Sequence, residues 1–273
     1  MELNNIFNLS NKTAIVTGGG GILGEGFCTI LSQYGAKVAV LDQDLDAAER
    51  VAEKIRSEVP NSQALALKCN VSVPASVTSS VEKVVKYFGG IDILHNNAAT
   101  KTSSLANFFK PFEEYSLETW REVMSVNLDG MFLMSQAVGR QMIVQGRGGS
   151  IIQTSSVYGV IAPDQRIYEG SHYLGCQINT PAVYSASKAA VIGLTKYLSS
   201  YWGKDGIRVN SITPGGVESG QNDIFSKKYG YRVPLGRMAE LGEMNAALLF
   251  LASDASSYVT GHNLIVDGGL SAW

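Results

Sequence analysis

The sequence predicts an α/β protein: a doubly wound parallel sheet with helices on both faces, three layers (αβα), in a single domain. Three observations carry this. Short β-branched runs alternate with helix-periodic stretches along the whole chain. The first run ends in four glycines, Gly18 to Gly21, that lead straight into a helical pattern. The 273 residues show no linker, composition break or internal repeat, so one larger domain is a better reading than two small ones.

The elements follow in order. Thr13–Thr17 is the first strand. Ile22, Leu23, Phe27, Ile30 and Leu31 then share one helical face. Lys37–Leu41 is the second strand. Asp44–Glu58 is a helix capped by Asp42 or Asp44, with Ala47, Val51 and Ile55 along one side. Ala64–Lys68 reads as a strand, and Pro74–Phe88 as a helix entered through proline and stopped by Gly89-Gly90. Ile91–His95 is the fourth strand. The second half repeats the theme: a long helix Leu117–Gln145, a strand Ser150–Thr154, a helix Ala182–Trp202, a strand Ile207–Ile212, a helix Met238–Leu251 and a short last strand Asn263–Val266. Three segments break the alternation: Thr100–Ser116, Val160–Pro181 and Pro214–Pro234. Each follows a strand, and the carboxyl ends of strands line the ligand crevice of such a sheet. These loops are therefore expected to be functional.

Composition excludes several classes. A net charge of −2, with 45% hydrophobic and 17% charged residues, gives no basic surplus for nucleic acid or an anionic membrane. Cys28, Cys69 and Cys176 are sparse, odd in number and form no Cys-x-x-Cys pair, so no disulfide framework and no metal are expected. Met1–Ser10 lacks the pattern of a secretory leader, and no apolar run approaches bilayer length. A cytoplasmic protein with a small-molecule substrate is the expectation.

The turn Thr17-Gly18-Gly19-Gly20-Gly21-Ile22-Leu23-Gly24 joins the first strand to the first helix. Glycines there let the backbone approach a pyrophosphate, and the helix start offers free N–H groups and partial positive charge. Alone, such a turn can also be a flexible connector, the lesser reading; its place after the first strand favours a dinucleotide further. Asp42 closes the second strand, 18 residues past Gly24. A carboxylate there binds the ribose hydroxyls of NAD and repels the extra phosphate of NADP. No Lys or Arg lies between Gly18 and Lys37 or between Leu41 and Glu49, which also favours NAD.

Tyr184-Ser185-Ala186-Ser187-Lys188 opens a helix, and residues four apart share a face. The Lys188 ammonium is expected near the Tyr184 hydroxyl, lowering a phenol that ordinarily titrates near 10. A phenol tuned in this way can exchange a proton while hydride moves. The bare five-residue pattern is more often a surface pair. Ser155-Ser156, closing the strand Ser150–Thr154, offers a hydroxyl to a substrate oxygen or merely caps a turn.

Together these residues resemble the short-chain dehydrogenase/reductase superfamily, in its compact single-domain branch with a Rossmann-type sheet. The resemblance runs from Lys12 to Gly269 and includes Asn96-Asn97-Ala98-Ala99, Asn127, Pro214-Gly215 and Val266-Asp267-Gly268-Gly269 in the family's order. It implies that Tyr184 is the acid/base and that Lys188 tunes it and binds the nicotinamide ribose. Ser156 would orient the substrate, and Asn127 would hold a water relaying protons to Lys188. For the cofactor it implies Gly18, Gly21, Ile22, Leu23 and Gly24 at the phosphates, Asn70 and Val71 at the adenine, Asn97 at a ribose, and Pro214, Gly215 and Val217 near the nicotinamide. A homotetramer is also implied, with Met238–Val266 resembling the family's subunit contacts.

The chain departs from that pattern in four places, two of them single residues: Asn70 stands for a usual aspartate and Ala99 for a usual glycine. The glycines fall at 18, 21 and 24, with Ile22 where the compact branch has glycine, a spacing resembling sugar-nucleotide epimerases and dehydratases. The Ser156-to-Tyr184 gap is 28 residues, about twice the usual. The extra residues, around Asp164 to Asn179, include Arg166, Tyr168, Glu169, His172 and Tyr173. Tyr168 is a rival acid/base with only His172 four residues on. The insert is equally a subunit contact or a polar wall for a hydroxyl-rich or anionic substrate, to which Lys101, Lys227, Lys228 and Arg232 would add. The expected activity is NAD(H)-dependent oxidoreduction of a secondary alcohol or ketone on a sugar, sugar acid or polyol. A sugar-nucleotide dehydratase or epimerase with tightly bound NAD, or a non-catalytic NAD-binding protein, ranks behind it.

Overall fold

A computed structural model describes residues 6–273, so Met1–Asn5 of the segment read as leader-free lie outside it. Nine strands and nine helices succeed one another in chain order among the described residues. β1 (Thr13–Thr17), α1 (Ile22–Gln33), β2 (Lys37–Asp42), α2 (Leu45–Glu58), β3 (Ala64–Lys68), α3 (Pro74–Phe88) and β4 (Ile93–Asn96) form the first half. The second half contains α4 (Leu105–Phe108), α5 (Leu117–Met124), α6 (Gly130–Gln145), β5 (Gly149–Thr154), β6 (His172–Tyr173) and β7 (Cys176–Gln177). It closes with α7 (Ala182–Trp202), β8 (Ile207–Pro214), α8 (Asp223–Tyr231), α9 (Glu243–Ala252) and β9 (Asn263–Val266).

Seven strands make one sheet in the order β3-β2-β1-β4-β5-β8-β9, and every pair is parallel. The order reverses beside β1, which places a crevice between the ends of β1 and β4. Alternate strand residues feed opposite cores. Ala14, Val16, Val38 and Val40 pack with α1, α2 and α9 on one face. Ile15, Ala39, Leu41 and Ile151 pack with α3, α6 and α7 on the other. Strands buried on both faces explain why they read as near-continuous apolar runs. Among the described residues no helix is long and apolar enough to cross a membrane.

Three local expectations change. The helix expected over Leu117–Gln145 is interrupted by a π-helical turn at Ser125–Asp129, which carries Asn127 and re-aims α6 relative to α5. The last helix begins at Glu243 rather than Met238. Met238 is buried in a separate aromatic cluster, and Ala239 bridges Val217, so this stretch is drawn over the sheet edge. The three long loops are partly regular: they contain α4, the antiparallel hairpin β6–β7, and α8, whose cap Asn222 accepts from the Phe225 N–H at 2.9 Å.

Candidate active site

A cleft of about 540 Å³ runs along the carboxyl ends of the strands. Gly18, Gly21, Ile22, Leu23, Gly24, Asp42, Asn70, Val71, Asn97, Ser156, Tyr184, Lys188, Pro214, Gly215 and Val217 all line it. Asn127 does not. It is fully buried behind the wall, where its Oδ1 accepts from the Thr100 N–H at 2.9 Å and its Nδ2 donates to Ser187 at 3.4 Å. Its side-chain amide braces the wall from behind.

The glycine turn is held by side chains reaching its backbone. Gly18 adopts φ +62°, and a Cβ on Gly24 would stand 2.1 Å from the Gly18 carbonyl oxygen. Only glycine fits that approach. Gly21 caps α1 without a side-chain hydrogen bond, so the first N–H groups of the helix have no intrahelical partner. Asp42 accepts the Gly20 N–H at 3.0 Å on one oxygen and the Asp44 N–H at 3.1 Å on the other. The helix cap is Asp44, which accepts from the Asp46 and Ala47 N–H groups. Each Asp42 oxygen keeps a lone pair. Asn97 donates to the carbonyls of Thr17 and Gly18, and Thr17 Oγ1 accepts from the N–H of Asn97 and Ala98. A glycine cradle, free helix N–H groups and a carboxylate beyond them suit the phosphates and ribose of a dinucleotide.

At the other end stand Tyr184 and Lys188 on α7. Lys188 is buried, and its ammonium lies 5.9 Å from the Tyr184 ring centroid. It donates to the Thr154 carbonyl at 2.8 Å instead of to the phenol. Burial lowers the ammonium to about 8. The expectation that Tyr184 is lowered is corrected: burial pushes its phenol up, and a hydrogen bond with Ser156 opposes that shift. Ser155 donates to the Lys188 carbonyl at 2.8 Å, which ties β5 to α7 and leaves Ser156 as the serine at the phenol.

The insert forms the outer wall. Tyr168 is buried, and its hydroxyl is 2.5 Å from Thr180 Oγ1 and donates to Tyr158 at 3.4 Å. Its ring stacks on Phe225 of α8 at 5.4 Å. Burial raises the phenols of Tyr158 and Tyr168. Arg232 lies 3.7 Å from Asp164, and Lys228 donates to the carbonyls of Arg166 and Glu169, so α8 and the insert are strapped together.

Sequence reasoning passed over several residues. His95 is fully buried on β4, with Nε2 2.8 Å from Thr154 Oγ1 and the Phe27 ring 4.5 Å away. It therefore braces the residue whose carbonyl holds Lys188. A histidine inside the apolar run Ile93-Leu94-His95 was the available signal. Arg50 donates to the Gly20 carbonyl from α2, and the Gly216 N–H donates to the Tyr229 hydroxyl. Neither contact leaves a sequence pattern, since the partners lie far apart.

Known proteins resemble this chain over nearly its whole length. A family model described as Enoyl-(Acyl carrier protein) reductase matches residues 21–271. D-threitol dehydrogenase of Mycolicibacterium smegmatis is 35% identical over 272 residues, covering 96% of this chain and 94% of that protein. The NAD-dependent glycerol dehydrogenase of Listeria innocua is 33% identical over 271 residues, covering 96% and 95%. A gluconate 5-dehydrogenase of Burkholderia cenocepacia, solved with NADP and tartrate, superposes with a TM-score of 0.85 at 32% identity over 98% of both chains.

Proposed function

This chain belongs to the short-chain dehydrogenase/reductase superfamily, and from that premise we propose that it oxidises a secondary alcohol of a sugar-like substrate with NAD as its cofactor. The observation that carries the reading is the meeting of Tyr184 and Lys188, one turn apart on α7, with the glycine turn in one cleft. NAD held in the cleft would supply the hydride acceptor for the alcohol carbon. Tyr184 takes the hydroxyl proton as its phenolate and returns it as the phenol in the reverse direction. Ser156 holds the substrate oxygen at the phenol. Lys188, fixed by the Thr154 carbonyl, would hold the nicotinamide ribose with its remaining N–H groups. Asn127 keeps Thr100 and Ser187 in register behind them.

NAD is favoured over NADP by Asp42, which stands with Gln43, Cys69 and Asn70 and without a lining cation at that end. Arg50 is tied to Gly20 outside the cleft. The protein acts as a homotetramer. Exposed Phe132, Ile143 and Val144 on α6 and Tyr197 and Tyr201 on α7 form an apolar face, and β9 leaves a sheet edge open. Three free cysteines suit a reducing cytoplasm.

The direct test follows NADH absorbance with a panel of polyols, aldoses and sugar acids, run in parallel with NADP. Turnover with NAD and little with NADP is expected. Preference for NADP would overturn the role given to Asp42. Light scattering is expected to return four times the chain mass.

A further inference from the structure

A second cavity of about 350 Å³ adjoins the cleft and shares Ser156, Tyr184, Val217 and Lys101 with it. Its other walls come from the insert, from α4 and from α8. Among the described residues no aspartate or glutamate lines it, and Lys101 brings the single formal charge. That ammonium stands 4.6 Å from the centroid of the Tyr173 ring, on the β6–β7 hairpin. An aromatic face attracts a cation without neutralising it.

Three other cations of these loops are held by partners. Arg166 and Arg232 both face Asp164, and Lys228 is held by the insert's carbonyls near Glu169. Among the described residues no carboxylate pairs with Lys101. Lys101 is itself exposed, so the walls around it desolvate its ammonium only in part, and that lowers it. Asn179, Ser219 and Gln221 add neutral hydrogen-bonding groups on the same walls.

We propose that the substrate is a polyhydroxy acid, with its reacting secondary alcohol at Tyr184 and its carboxylate at Lys101 beside Tyr173. The proposal rests on the oxidoreductase reading and narrows it. The step balances as one alcohol C–H giving hydride to NAD, the hydroxyl proton passing to the Tyr184 phenolate to regenerate the phenol, and a ketone forming. The carboxylate remains unchanged. Lys101 is thus a specificity residue, and the insert, by carrying Tyr173, sets where the charge binds.

The test compares gluconate and threonate with glucitol and threitol, using wild type, Lys101→Gln and Lys101→Arg. The acids are expected to show the higher kcat/KM. Lys101→Gln is expected to lower kcat/KM for the acids about 30-fold, the scale of one charge-assisted hydrogen bond. The same variant should change the polyols less than about threefold, and Lys101→Arg should restore most of the loss. Raising the salt concentration should raise KM for the acids alone. Calorimetric binding of gluconate to the NADH-loaded protein gives a readout independent of turnover. If no panel member is oxidised while gluconate binding still depends on Lys101, the oxidoreductase reading falls and the anion site stands. Equal losses for acids and polyols, or gluconate binding that ignores Lys101 or is absent, overturns the proposal.

Discussion

The two ends of the cleft are built by different means. The nucleotide end is backbone: the Gly18–Gly24 turn, fixed from behind by Asp42, Asn97 and Thr17. The substrate end is side chain: Tyr168, Phe225, Tyr229 and Met238 from three segments, strapped by Asp164 and Arg232. A backbone cradle recognises shape and charge common to one cofactor. An aromatic wall with one lysine at its edge recognises whatever its side chains allow. Substitutions should therefore separate into cofactor affinity at one end and substrate recognition at the other, with Tyr184 between them acting on the chemical step.

The strongest way to break that division is Tyr184→Phe. Loss of the acid/base should lower kcat about a thousandfold. The affinity for NAD, read by fluorescence titration, should hardly move. Because burial raises the phenol, wild-type alcohol oxidation should quicken as pH rises, and the residual rate of the variant should be flat. A collapse of NAD binding in this variant would merge the two ends.

Next in size is Asp42→Ala. It removes the proposed ribose acceptor and releases the Gly20 N–H. The dissociation constant for NAD should rise about 30-fold, with a smaller change for NADP, as loss of a charged hydrogen-bond acceptor requires. Substrate KM at saturating NAD should be unchanged.

His95 sharpens the comparison from beneath. Its burial and the nearby Lys188 lower it to about 3, against an ordinary 6.5. The folded protein keeps it neutral while the unfolded chain protonates. Its contribution to stability is whole above about pH 6.5 and declines as pH falls toward 3, by about 1.4 kcal/mol per pH unit. Urea denaturation at neutral and mildly acid pH should show this slope in wild type and a shallower one in His95→Leu. The variant should lose about 1 kcal/mol at neutral pH, because Thr154 Oγ1 loses its partner.

The smallest effect is expected from Tyr168→Phe. It removes a hydroxyl bonded to Thr180, worth about 1 kcal/mol, and leaves kcat within about twofold. A kcat loss matching that of Tyr184→Phe would move the acid/base role to the insert.

The sequence alone determined the parts whose physics is local. Strand and helix periods showed in the spacing of apolar residues, and the parallel sheet followed from their alternation. The glycine turn was legible because it stands between the first strand and the first helix, where a dinucleotide's phosphates bind. Tyr184 and Lys188 were legible as a pair because four residues make one helical turn. Only the tertiary structure decided what those groups meet. Lys188 turned to the Thr154 carbonyl, the Tyr184 phenol rose instead of falling, Asn127 sat on a π-helical turn behind the wall, and Lys101 came to face Tyr173. Each depends on burial and on contacts between segments distant in sequence. Desolvation and partner choice belong to a residue's surroundings, which appear only once the chain has folded.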